Sequence, residues 1–193
     1  MSLARTTLSA LVLLAAPAAA EDAPPLTYAG EQAREIASLS EDDLAELAGG
    51  GGWGLARAAE RNGVPGPGHL LEPADEIGLD VDQRAIIEAI RDEMRTEAIP
   101  AGERFVAAER ALGAAFTDAV PERLEPARLV GEAGAARADL RLAHLSAHLR
   151  TTPLLTEAQI ERYGVLRGYA EDPCDGVPDG HDAQMWRRHN GCG

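Results

Sequence analysis

The chain has 193 residues, and its formal net charge of -14 comes from 32 acidic and 18 basic residues. That balance argues against nucleic acid as a partner, because phosphate neutralisation needs a basic face. All the basic residues are Arg, which leaves no Lys for Schiff-base chemistry, and an aromatic content of 4% argues against a cleft built on aromatic platforms. Alanine and leucine dominate instead, a composition suited to helices packed closely along their lengths.

Residues 1–20 read as a secretory signal: Arg5 supplies a positive start, 8–16 an apolar run, and Ala18-Ala19-Ala20 a small-residue cleavage site before Glu21. This predicts export to the periplasm with cleavage of the signal. The apolar run is too short for a permanent membrane span. Residues 21–29, with Pro24 and Pro25, read as an extended leader. Helical signals begin near Gly30, and Ser40 followed by Glu41-Asp42-Asp43 caps a short helix. Gly49-Gly50-Gly51-Gly52 then ends it, because consecutive glycines cost too much backbone entropy to stay helical. Without a following Gly-Lys-Ser/Thr the glycine run is no phosphate loop, and it reads as a flexible joint. A second short helix is expected over 53–61, before the breaks at Gly63, Pro65, Gly66, Pro67 and Gly68. His69 opens another, where capping or packing competes with a ligand role.

Farther on, a pentapeptide occurs twice, as Leu79-Asp80-Val81-Asp82-Gln83 and as Leu155-Thr156-Glu157-Ala158-Gln159. In each copy a capping residue, Asp80 or Thr156, stands three positions before a Gln. Its side chain can accept from an orphan backbone N–H while the Gln reaches back to the cap, so both copies start helices. After the first, Ile86, Ile87, Ile90 and Met94 mark a buried face expected to run to Ile99, where Pro100 and Gly102 kink or end the helix. Phe105, Ala108, Leu112, Phe116 and Ala119 continue an apolar stripe. Pro121 and Pro126 bracket a turn, and a third long segment over 128–150 carries Leu142, Leu145 and Leu149. The helix opened by the second pentapeptide presents Ile160, Tyr163 and Leu166 and stops at Gly168.

No segment alternates at period two, so the expected fold is all-α: an antiparallel helical hairpin over 30–170 with short flanking helices and a flexible C-terminal tail over 171–193. A thin hairpin leaves apolar flanks uncovered, which a homodimer or a captured polypeptide would bury.

The doubled pentapeptide behind a secretion signal, with amphipathic stretches after each copy, resembles the L-T-x-x-Q proteins of the Spy/CpxP type. Asp80 stands where that motif usually has Thr, and Asp caps equally well. The resemblance implies a periplasmic ATP-independent chaperone or envelope-stress adaptor without catalysis, whose partners are partly unfolded envelope proteins or a sensor protein. It leaves a runner-up, a heavy-metal sensor or metal-binding resistance protein on the same hairpin.

Two groups of residues could serve that alternative. His144 and His148, spaced i, i+4, project from one side of a helix and could share a metal ion. The Leu142, Leu145, Leu149 stripe lies a quarter turn or more away, which predicts the pair at the edge of the core or in solvent. The tail gathers Cys174, His181, Met185, His189 and Cys192, a donor set suited to Cu or Zn, with Ni and Co as further candidates. In an oxidising compartment, however, Cys174 and Cys192 are expected to form a disulfide in preference to binding metal, which would leave His181, Met185 and His189 to align if that stretch became helical. No cofactor is required by either reading. Ser38, Ser40 and Ser146 coexist with these histidines, but no G-x-S-x-G occurs and no enzyme is expected.

Overall fold

A computed structural model describes Tyr28 and residues 31–117 and 120–192. The signal at 1–20 and all of the leader but Tyr28 lie outside the described residues, as does Ala119. Residues 1–32 form a unit of their own, in which the Glu31 N–H donates to the Tyr28 carbonyl at 3.1 Å. The rest, from Ala33 onward, forms a second unit.

Among its described residues this second unit is helical: α1 (Glu41–Ala48), α2 (Arg57–Glu60), α3 (Pro67–Leu71), α4 (Ala74–Ile77), α5 (Val81–Ala114), α6 (Leu124–Thr151), a 3-10 turn (Thr152–Leu154), α7 (Glu157–Leu166) and α8 (Ala183–His189). The long helices α5 and α6 pack against each other as a hairpin, α1 and α3 lie on α5, and α4 meets α7. No helix is long and apolar enough to cross a membrane among the described residues.

The first helix starts as its sequence demands. The Ser40 hydroxyl accepts from the Asp43 N–H at 3.1 Å, and the Asp43 carboxylate accepts from the Ser40 N–H at 2.7 Å, so two orphan donors are satisfied reciprocally. The second short helix is shorter than its sequence suggests. Trp53 adopts φ 45°, and only Arg57–Glu60 is helical. Trp53 is held there by its N–H to Glu46 (2.6 Å), its indole N–H to Asp43 (2.7 Å), and its ring against Phe105. The Arg137 guanidinium lies 5.5 Å above the same ring.

The expected break at Pro100 and Gly102 does not occur, since α5 runs through both residues for 34 positions. Pro100 is exposed, and the cost of its missing N–H is carried by packing of α5 on either side. Gly102 is there for contact. A Cβ at that position would sit 3.0 Å from the Leu47 carbonyl oxygen, so the glycine lets the end of α1 approach the helix backbone. Likewise α6 begins before Pro126, at Leu124, because a proline in the first turn removes an N–H that has no intrahelical partner anyway.

Two apolar clusters form the core. One joins Ile36, Leu39, Leu47 and Leu55 to Ala98, Ala101 and Phe105 of α5 and Ala133, Ala136, Leu140 and Ala143 of α6. The other gathers Leu70, Ala74, Ile77, Leu79, Ile87 and Tyr163. On α5, Ile87 and Ile90 are buried while Ile86 is 47% exposed. On α6 the expected face is reversed: Leu142 and Leu149 are 64% and 68% exposed, and the histidines between them point inward.

Candidate functional site

The two pentapeptides, 76 residues apart in sequence, lie side by side. Asp80 and Thr156 each form a complete capping box with Gln83 and Gln159. The two Gln side chains then bond each other reciprocally, each amide N–H donating to the other's carbonyl oxygen at 2.9 Å. The spare donor of Gln83 goes to the Leu154 carbonyl at 2.8 Å and that of Gln159 to the Gly78 carbonyl at 3.0 Å. Each Gln carbonyl also accepts from its own cap N–H at 3.0 Å. One pair of amides thus closes two helix starts and fastens α7 to the base of α5. The pairing between copies is a tertiary fact that the sequence repetition alone does not give.

Next to this clasp lies a buried polar cluster that the sequence reading missed. Glu60, at the end of α2, is 6% exposed. Its carboxylate accepts from His69 Nδ1 (2.5 Å), the Tyr163 hydroxyl (3.0 Å) and the Tyr169 hydroxyl (3.2 Å), and His148 Nε2 stands 3.8 Å away. Burial pushes the Glu60 carboxyl up, but the His69 hydrogen bond and charge, with Tyr163 and His148, outweigh it and bring it down to about 2. The bond to Glu60 raises the His69 pKa against the opposing effect of its burial. Burial, and then the neighbouring Glu60 charge, raise Tyr163. Glu60 gave no signal in the sequence, standing as one acid among many in a short amphipathic stretch.

The i, i+4 histidines of α6 do not turn toward a shared ligand. His148 donates from Nδ1 to the Val64 carbonyl at 2.7 Å and sets its ring close against Gly66. His144 is 5% exposed, its ring in contact with Gly52 and hydrogen-bonded to the Gly51 backbone. Burial lowers its pKa, and its Nε2 is a buried nitrogen without a partner. The expectation of an edge or solvent position is therefore corrected for both. Within the glycine and proline breaks of 49–52 and 63–68, Gly52 and Gly66 bring backbone against the rings of His144 and His148 on this side of α6. His144 also lines a cleft of about 350 Å³ with Gly49-Gly50-Gly51-Gly52, Glu46, His69, Met94 and Arg95. The glycine run is thus a packed wall of that cleft.

In the tail, Cys174 and Cys192 are joined as a disulfide with Cα atoms 5.5 Å apart. Asp182 caps α8, accepting from the Met185 N–H at 2.8 Å, and the Trp186 indole donates to the Pro173 carbonyl at 2.7 Å. Met185 and His189 lie in α8, whereas His181 precedes its cap and sets its ring edge-on to Trp186. All three side chains are exposed. No group of three or more His, Cys, Asp or Glu stands close enough to hold a metal ion among the described residues. Comparison with protein-family models, curated proteins and solved structures finds no match.

Proposed function

We propose that this protein is a periplasmic, ATP-independent chaperone or envelope-stress adaptor of the Spy/CpxP kind. The observation that carries the reading is the clasp of the two capping pentapeptides, which makes the repeated motif one structural device at the base of a thin hairpin. A hairpin of this kind presents apolar surface near its turn. Near the turn between α5 and α6, Phe116 (59% exposed), Val120 (95%), Leu124 (81%) and Val130 (56%) offer apolar contacts to partly unfolded envelope proteins or a sensor protein. The excess of acidic residues keeps such an assembly soluble and sets the salt dependence of encounter.

The test is suppression of aggregation of a reduced or denatured model client at substoichiometric to equimolar protein. Suppression that weakens in a Phe116→Ser, Leu124→Ser variant is expected, and no suppression across several clients overturns the reading. A second reading, a heavy-metal sensor or metal-binding protein, is favoured by one observation, the unpartnered Nε2 of His144, a residue that lines one cleft together with Met94 and His69. Titration with Zn, Cu, Ni and Co, followed through the imidazole NMR signals, separates the two. Absence of micromolar binding for every metal removes it.

A further inference from the structure

The chain beyond α7 folds into a small ring with a groove beside it. Helix α7 ends at Leu166, Gly168 turns at φ 68°, and the N–H groups of Tyr169 and Ala170 both donate to the Gly164 carbonyl, at 2.8 and 3.1 Å. The Cys174–Cys192 disulfide then closes the ring, and the Trp186 indole is held by its 2.7 Å bond to the Pro173 carbonyl. Asp172 pins the start of the tail: its carboxylate accepts from the Cys174 N–H at 2.8 Å and stands 3.7 Å from the Arg162 guanidinium of α7.

Between the end of α7 and this ring lies a groove of about 950 Å³, near the top of the roughly 300–1,000 Å³ range of ligand pockets. Its apolar wall includes Val165, Pro173, Val177 and Trp186, all half-buried, and its charged lining is Glu171, Asp172 and Asp175. No Arg or His lines it. Glu171 and Asp175 are exposed, and neither side chain has a hydrogen-bond or ion-pair partner among the described residues. The groove thus sets two unpaired carboxylates beside an apolar floor.

We infer that this groove docks an extended segment of another polypeptide in which an apolar side chain is flanked by arginines. The apolar side chain is covered by Val165, Val177 and Trp186. A guanidinium forks onto a carboxylate and stacks on an indole, so arginine suits this lining better than the point charge of an ammonium. An anion would meet three carboxylates and no cation. A neutral apolar ligand would take water from Glu171 and Asp175 and give them no partner. The groove shares no residue with the apolar patch at the α5–α6 turn, and it stands whether or not that patch holds clients.

The groove also depends on the disulfide. Val177 and Trp186 belong to opposite arms of the ring, and a tail with so few apolar residues does not hold that shape unaided. A dithiol that passes two electrons and two protons to the cysteine pair leaves two thiols, closes to its own disulfide, and so releases the docked segment.

Isothermal titration of the full chain with the peptide acetyl-Ala-Arg-Leu-Arg-Ala-amide reads the affinity. The Trp186 indole N–H signal in NMR, assigned from its loss in Trp186→Phe, reads the place. Saturable binding that shifts this signal is expected, with none for the counterpart carrying Glu at both Arg positions. The variant Glu171→Gln, Asp175→Asn, whose side chains hold nothing else, is expected to weaken binding about tenfold. Cys174→Ser, Cys192→Ser is expected to abolish it while the amides of α5 and α6 keep their protection from hydrogen exchange. Absence of binding by the arginine peptide overturns the proposal, and equal binding of the Glu peptide overturns its charge selection. Undiminished binding in the cysteine variant overturns the dependence on the ring. Movement of the Trp186 signal with protein concentration alone would give the groove to α8 of another copy, with its Met185, Arg187 and Arg188, and would overturn the choice of a foreign segment.

Discussion

Glu60 is the residue on which the interior charge of this protein turns. Its carboxyl, near 2 in the fold against an ordinary value of 4.5, contributes stability that is complete above the unfolded value and is lost as pH falls from about 4.5 toward 2. His144, whose pKa is lowered by burial, acts in the same direction: protonation favours the unfolded chain as pH falls below its ordinary value of 6.5. His69 acts oppositely, because its raised pKa contributes stability below 6.5 that is lost as pH rises through its folded value. Urea midpoints measured from pH 3 to 9 are therefore expected to fall on both sides of a maximum. In Glu60→Gln the alkaline decline assigned to His69 should flatten, with a loss of about 1–3 kcal/mol at neutral pH from imperfectly satisfied buried donors. An unchanged alkaline limb would show that His69 draws its stability from elsewhere. Gly66 belongs to the same scale. A Cβ there would overlap the His148 ring, and because that ring is anchored to the Val64 carbonyl, Gly66→Ala is expected to cost about 1–3 kcal/mol by overpacking. Gly68→Ala, which meets nothing within 4 Å, is the control and should stay within about 0.5 kcal/mol.

Among the elements, the clasp between the start of α5 and the start of α7 is the feature whose energetics can be isolated. Gln83→Ala and Gln159→Ala each remove one half of a capping box and one half of the amide pair. Each is expected to cost about 1–2 kcal/mol. Because the two side chains bond each other, the double variant should cost less than the sum of the singles by about 0.5 kcal/mol or more. Simple additivity in that double-mutant cycle would mean that the two boxes act as independent caps. Asp80→Thr, which restores the residue usual in the resembling motif, keeps a capping oxygen and is expected to leave stability nearly unchanged. The helix α5 shows the opposite relation between sequence and element. Its central Pro100 is a local liability that 34 residues of packed helix absorb, which explains why local propensity fails there.

On the scale of the whole molecule, the tail and the hairpin are expected to respond separately to reductant. The disulfide closes 18 residues, and a loop of that size is worth about 3 kcal/mol to the segment it constrains. The hairpin core contains no Cys and takes its stability from the two apolar clusters. Reduction should therefore increase hydrogen exchange over 174–192 while the amides of α5 and α6 keep their protection. Deleting 171–193 should remove α8 from the helical signal and leave the rest folded. A collapse of helicity on that deletion would place the tail inside the cooperative unit.

Much of this molecule was legible because its signals are local. Capping depends on residues three positions apart, so Ser40, Asp80 and Thr156 start helices in the structure where their sequences place them, and the absence of alternating segments was enough for an all-α fold. What the sequence could not decide was everything that depends on which backbone arrives opposite a given side chain. Leucine stripes and histidine pairs on α6 differ in sequence by one position, and periodicity alone favours burying the leucines. Only the approach of the glycine and proline loops, with Gly52 against His144 and Gly66 against His148, covers that side of α6 and leaves Leu142 and Leu149 outside. The same holds for Glu60, an unremarkable acid until His69, Tyr163 and Tyr169 surround it, and for the two Gln residues, whose separate caps become one clasp only when α7 folds back onto α5. Local hydrogen bonding set where the helices begin, and long-range packing decided what they bury.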